Sequence, residues 1–285
     1  MLSQQDAIIR PIMIFDLHTH STASDGSLAP QELLSRAAAN GVTCLSVTDH
    51  DTVDAYAKLD DSSCPGVTVV PGIELSTSWA GRNIHIVGLN IDPNNSDLVN
   101  GIRQQKLARL QRAEKIAARL EKKGMDNPLE DVTKLANGSN IGRPHFARYL
   151  VEKGIVADFS QAFRKYLGNG KAGDVRQFWS PMEDIIEWIL AAGGTAVLAH
   201  PAHYKLTNTR LRLLTEDFIS AGGQALEIVS GIQTKQLTDK LMRLCDDLQL
   251  MASCGSDFHT PGNSWSEIGK FTRLPANCRP VWENW

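Results

Sequence analysis

Five short apolar runs in this chain each end on an ionisable side chain, and stretches of helical spacing separate most of them. Residues 12–15 lead to His18 and His20, 43–47 to His50, and 67–73 to Glu74. Residues 195–199 lead to His200, and 250–254 to Asp257 and His259. An apolar run of this length between helical stretches reads as a buried strand, and strands alternating with helices imply a largely parallel sheet. Roughly seven such units favour a closed or nearly closed barrel over an open doubly wound sheet. No Gly-rich dinucleotide fingerprint follows the first strand. In a barrel of this kind the working residues stand at the C-terminal ends of the strands, and the polar residues fall there.

His18 and His20 are two residues apart, so they share a face of an extended chain, and Asp25 follows in the adjoining loop. Asp257 and His259 repeat that spacing. One His-x-His is a weak signal, but five of the eight histidines stand at these strand ends. Imidazoles with carboxylates among them form a mixed N/O donor set for divalent cations. Glu74, placed among histidines, can offer one oxygen to each of two cations. His85 lies on an added strand, 83–90, and shares a face with Val87 and Leu89. His203 reads as structural or as support for the ligands.

The helical stretches are 31–40, a short one at 53–59, 182–192, 211–221 and 234–248, and the last strand candidate is 268–272. Between 97 and 124 lies a long helix rich in Arg, Lys and Gln, followed by short helical pieces as far as Ser180 with no strand signal. The expected organisation is a barrel from 1–99 and 181–285, with a helical insertion, 100–180, folded over its mouth as a substrate cap. The net charge of −3 argues against a bulk nucleic-acid binder and leaves room for a local basic cluster. The five cysteines, in no Cys-x-x-Cys pair, read as reduced thiols of a cytoplasmic protein. No apolar stretch approaches membrane-spanning length, and no obligate protein partner is evident.

The set Asp16-Leu-His18-Thr-His20, Ser46-Val-Thr-Asp49-His50-Asp51, Pro71-Gly-Ile-Glu74, His85, Ala199-His200-Pro201 and Gly255-Ser-Asp257-Phe-His259 resembles the polymerase and histidinol phosphatase (PHP) family. The resemblance spans the chain outside the insertion. It implies a distorted seven-unit (β/α) barrel holding two or three divalent metals, manganese first, with iron or zinc as alternatives. The implied ligands are His18, His20, Asp25, His50, Glu74, His85, His200, Asp257 and His259, with Glu74 bridging. Gly142-Arg143-Pro144-His145, with Tyr166-Leu167-Gly168 and Lys171 behind it, is similar to the branch that removes the 3′-phosphate of nucleoside 3′,5′-bisphosphates. Members of that branch also act as 5′→3′ exoribonucleases on short RNA and ribosomal RNA 5′ ends. After Lys171 this chain reads Ala-Gly-Asp-Val, a departure from the Pro-Ala-Tyr-Val-like run of that branch.

Clustered divalent cations lower the pKa of a water, hold it in line with phosphorus and neutralise the leaving oxygen, all of which phosphate-ester hydrolysis needs. Arg143, His145 and Lys171 are the expected phosphate-binding residues, although Arg143 could equally pair with an acid in the helical segment. The expected partners are a nucleoside bisphosphate or a short RNA 5′ end, not DNA. A histidinol-phosphate phosphatase, or another small phosphomonoesterase, is the alternative within the enzymes. A non-catalytic metal-binding module of the same fold is the alternative outside them.

Overall fold

The computed structural model describes residues 13–59, 66–175 and 178–285; the start of the first expected strand and Cys64 lie outside them. Strands β1 (Phe15–Asp16), β2 (Cys44–Leu45) and β3 (Thr68–Val69) form a parallel sheet in that order. Strands β4 (Gly72–Trp79), β5 (Arg82–Leu89), β6 (Thr195–Leu198), β7 (Ala225–Ser230) and β8 (Met251–Gly255) form a second sheet. Here β5 runs antiparallel to both β4 and β6, while β6, β7 and β8 are parallel. The sheet is therefore mixed, where the βα rhythm implies a parallel one. The cause is local: Ala80 and Gly81 both take positive φ, at 45° and 72°, and such a two-residue turn folds β5 straight back along β4.

Backbone hydrogen bonds join the two sheets on both sides. Leu17 N–H donates to the Cys254 carbonyl at 3.1 Å, Asp257 N–H to that of His18 at 2.9 Å, and His20 N–H to that of Phe258 at 2.9 Å. On the other side Asp51 N–H donates to the Glu74 carbonyl at 2.8 Å, and Glu74 N–H to that of Asp49 at 3.3 Å. Leu17, Val87, Leu89, Val197, Ala199, Ala225 and Met251 pack together as an inner layer drawn from both sheets. The alternate residues Ile84, Ile86, Leu198, Leu226 and Ala252 face the opposite way, into the layer beneath the helices.

Three expected elements take another form. The strand expected to run unbroken through 67–76 divides at Val70-Pro71, because proline has no N–H to continue the ladder. The Tyr56 hydroxyl fills the gap, donating to the Val47 carbonyl at 2.6 Å and accepting from Gly72 N–H at 2.6 Å. A Cβ at Gly72 would meet Ser46 Oγ at 2.3 Å, so only glycine lets the strands approach there. Drawing Tyr56 inward leaves the helix expected at 53–59 as one tight turn, Tyr56–Lys58. The strand expected at 268–272 is a turn: Gly269 has φ 70° and donates its N–H to Asp16 Oδ2 at 2.9 Å, while Ile268 is buried beside Leu33 and Val42.

The helices are α1 (Pro30–Ala39), α2 (Ser96–Glu121), α3 (Pro128–Ala136), α4 (Arg143–Glu152), α5 (Phe159–Ala162), α6 (Met182–Ala191), α7 (Asn208–Ser220) and α8 (Lys235–Asp247). The side chain of Asn95 caps α2, accepting from the N–H groups of Asp97 and Leu98. Leu98, on its first turns, packs with α6 under the sheet. Ile116, Ala117 and Leu120, further along, join Val132, Phe146, Leu150, Leu167 and Val175 in a separate apolar cluster. One long helix thus carries the chain from the sheet layer into a second small core.

Candidate metal centre

Each strand end delivers one part of the site. The turn after β1 carries His18, His20 and Asp25, the segment after β2 carries His50, and Glu74 sits within β4 opposite Val87 of β5. His85 comes from β5, His200 follows β6, and Asp257 and His259 follow β8. His200 and Asp257 adopt positive φ, at 27° and 53°. Such backbone costs of order 1 kcal/mol or more, persists only where the surroundings impose it, and here accompanies the His200 ring meeting Glu74 and the Asp257 carboxylate meeting His18 and His20.

Glu74 is fully buried at the centre. Its Oε2 lies 2.9 Å from His50 Nδ1, 3.3 Å from His20 Nε2 and 3.4 Å from His18 Nε2. Its Oε1 lies 2.8 Å from His85 Nδ1 and 2.9 Å from His200 Nε2. Asp257 Oδ1 stands 3.6 Å from His18 Nε2 and 3.4 Å from His20 Nε2. Asp25 stands 3.6 Å from His50 Nε2 and 3.5 Å from His259 Nε2. The nine residues singled out in the sequence as donors therefore form one continuous cluster. Three overlapping subsets hold their donor atoms within 4.8 Å of one another: His20, Asp25, His50 and His259; His18, His20 and Glu74; His50, Glu74 and His85.

The donor set fits divalent cations. His18 Nε2, both ring nitrogens of His20, His50 Nδ1 and Glu74 Oε2 are buried without a hydrogen bond, although His50 Nδ1 and Glu74 Oε2 are only 2.9 Å apart. Buried polar atoms this close and unbonded have lone pairs aimed at shared points rather than at each other. Charge tells the same story. Burial opposes ionisation of Glu74, yet the imidazoles of His50, His85 and His18 hold its carboxyl well below the usual range. Burial also opposes a charge on His20, but Asp257 and Glu74 beside it push its ring up to about 10. Burial brings His85 down to about 4, against the pull of Glu74 and with His50 and His200 adding to it. The carboxylates of the cluster thus draw positive charge toward the positions in which cations would balance them.

Sequence reasoning missed the residues that hold this cluster in place. Glu227, from the middle of β7, bonds His18 Nδ1 at 3.0 Å and accepts the His200 N–H at 2.5 Å. With Nδ1 engaged, the His18 ring turns Nε2 toward Glu74 and Asp257. Asp49 accepts Ser21 N–H at 2.8 Å and the hydroxyls of Ser21 and Ser24 at 2.5 Å and 2.6 Å, bracing the loop that bears Asp25. Asp51 accepts Ser76 N–H at 2.8 Å and Arg109 Nε at 2.5 Å. A glutamate inside an apolar strand was one available signal. The other was Gln105, Arg109 and Arg112, spaced i, i+4, i+7 and buried on the inward face of α2.

Two cavities adjoin the cluster and meet at Asn83, His85 and Arg143, which line both. The first, about 130 Å³, is bounded by Asp25, His50, Arg109, Arg112, Phe163 and Trp179. Burial and the neighbouring Arg143 and Arg109 charges push Arg112 down to about 9, as crowded like charges do. The second, about 440 Å³, runs past His200, His203 and Tyr204 to Arg82 and Arg210. Arg143 thus faces the cluster, with its guanidinium 5.7 Å from the centre of the Phe163 ring. His145 sits behind it, its Nδ1 accepting the Gly142 N–H at 3.0 Å and closing the first turn of α4. Lys171 is exposed and lines neither cavity.

This is a mixed α/β protein with a histidine and carboxylate cluster suited to divalent cations. The PHP domain profile matches residues 16–196, and the chain belongs to the PHP family. It is 43% identical over 273 residues to a 5′-3′ exoribonuclease of Haemophilus influenzae, covering 94% of this chain and 98% of that one. It is 41% identical to a 3′,5′-nucleoside bisphosphate phosphatase of Chromobacterium violaceum, covering 94% of each. A solved structure from Chromobacterium violaceum, described as an amidohydrolase with bound sulfate and no metal, superposes with a TM-score of 0.87 at 40% identity over 95% of each chain. A structure from Bifidobacterium adolescentis shares the fold, with a TM-score of 0.73 at 24% identity and coverage of 95% of this chain and 94% of that one.

Proposed function

We propose that this chain is a metal-dependent phosphoesterase that removes the 3′-phosphate of nucleoside 3′,5′-bisphosphates, leaving nucleoside 5′-monophosphate, and acts 5′→3′ on short RNA or ribosomal RNA 5′ ends. The observation that carries the reading is the juxtaposition of the donor cluster with a small cavity walled by Arg109, Arg112 and Arg143. The names of the relatives from Haemophilus influenzae and Chromobacterium violaceum support the same two activities. His18, His20, Asp25, His50, Glu74, His85, His200, Asp257 and His259 would hold two or three divalent ions, manganese first. Such ions supply Lewis acidity at a phosphate and lower the pKa of a nearby water.

The chain's own residues do the rest. Glu74 offers separate oxygens to two sides of the cluster, and Glu227 fixes the His18 ring. Arg143, with Arg112 behind it, provides guanidinium donors for a phosphate other than the scissile one. Phe163 and Trp179 wall that cavity and limit water around the bound charge. Amide hydrolysis, the reaction in the description of the superposed structure, has less use for three clustered arginines.

The inter-sheet hydrogen bonds and shared inner layer support a distorted seven-unit barrel, with β3 and β4 as one interrupted strand. The separate apolar cluster of residues 113–175 supports a helical cap over a barrel built from 1–99 and 181–285. Among the described residues no helix is long and apolar enough to cross a membrane, and we place the protein in the cytoplasm. Purified protein with manganese, given adenosine 3′,5′-bisphosphate, histidinol phosphate and a short 5′-phosphorylated RNA, tests the reading. Turnover of the first and third supports it; preference for histidinol phosphate, or no turnover at all, overturns it.

A further inference from the structure

We propose that the larger cavity is a track for the RNA chain on the 3′ side of the scissile phosphodiester, with Arg82 and Arg210 binding its phosphates. This rests on the exoribonuclease reading above. The two cavities differ in the way that a 5′→3′ enzyme requires. The arginine-walled one, about 130 Å³ and bordered by Phe163 and Trp179, is the smaller and suits a terminal phosphate. For a chain whose 5′ end enters there and whose next phosphate lies at the donor cluster, the larger cavity, lined by His85 and His200, is the roomier way out.

That opening begins at His85, within the cluster, and extends past His203 to the tip of the β4–β5 hairpin. Its volume of about 440 Å³ falls in the range of roughly 300–1,000 Å³ typical of sites for ligands of nucleotide size. Its outer wall carries two guanidinium groups and one acid. Arg82, at the start of β5, reaches the Tyr204 carbonyl only at 3.4 Å, and Arg210 lies over the Trp79 ring, 5.7 Å from its centre. The acid, Asp174, accepts the Gly170 N–H at 2.7 Å on the cap side. Neither arginine forms a salt bridge among the described residues, so both have donors for a phosphodiester. Sequence-independent backbone binding suits an enzyme that steps along RNA. A nucleoside bisphosphate has no phosphate beyond the scissile one for these two arginines to bind.

The test separates the two substrates. In Arg82→Gln/Arg210→Gln, kcat/KM for a 5′-phosphorylated octaribonucleotide should fall about tenfold or more, while that for adenosine 3′,5′-bisphosphate stays within twofold. Arg210→Glu should lower the RNA value further than Arg210→Gln. Fluorescence anisotropy with the same RNA carrying a non-cleavable first linkage should show weaker binding, with the salt slope reduced by about 0.7 for each phosphate that the variant no longer neutralises. Equal losses on both substrates, or no loss on RNA and an unchanged salt slope, would overturn the proposal. If the wild type turned over neither substrate the phosphoesterase reading itself would fail, and the anisotropy comparison would still decide whether these arginines hold RNA.

Discussion

Glu74 is the residue on which the cluster depends, since His18, His20 and His50 approach one of its oxygens and His85 and His200 the other. An amide has one oxygen acceptor and no charge, so Glu74→Gln should lower both the metal content of protein purified without chelator and its turnover. Metal analysis beside the assay checks this, and unchanged stoichiometry would show that Glu74 is not a shared ligand. Arg143 has weaker structural ties, a 3.5 Å approach to the Leu167 carbonyl and the Phe163 ring. Arg143→Ala should therefore cost about 2 kcal/mol in transition-state terms on a bisphosphonucleotide, as loss of a charged hydrogen bond implies, with little change in Tm. A large drop in Tm would return Arg143 to a structural role. The donors were legible because strand-end position and i, i+2 spacing are local properties. Glu227 and Asp51 were not, because their partners, His18 and Arg109, lie 209 and 58 residues away.

At the scale of elements, α2 couples the sheet layer to the small helical core, and its seat is Gly101. A Cβ there would meet the Trp188 ring of α6 at 2.3 Å. Alanine gains about 1 kcal/mol over glycine in a helix, but overpacking costs about 1–3 kcal/mol. Gly101→Ala should thus lower Tm by a few degrees, read by thermal melting, and a rise would mean that α2 and α6 do not pack this closely. Helices were legible almost to the residue where apolar periodicity was long, as in α6 and α8. Three elements changed form where a single residue overrode the pattern: Pro71 divides a strand, Tyr56 draws a short helix inward, and Gly269 turns a strand candidate back. The hairpin at Ala80-Gly81 hid the antiparallel course of β5, since an apolar run carries no record of strand direction.

For the whole molecule, the cluster concentrates buried imidazole nitrogens and one carboxylate oxygen, Glu74 Oε2, that lack hydrogen bonds, so a ligand of the folded state should stabilise it strongly. At a hundred times its Kd, one bound ion adds about 2.7 kcal/mol, and Tm should rise with manganese and fall on chelation. A melting curve indifferent to both would argue against a multinuclear site. The arginine-lined cavity beside the cluster is where the proposed function would hold a second phosphate next to the one that reacts. The most direct measurement is kcat/KM on adenosine 3′,5′-bisphosphate against adenosine 3′-monophosphate, with manganese present. The account predicts at least a thirtyfold preference for the bisphosphate, equivalent to about 2 kcal/mol from the second phosphate. Equal values for the two would contradict it.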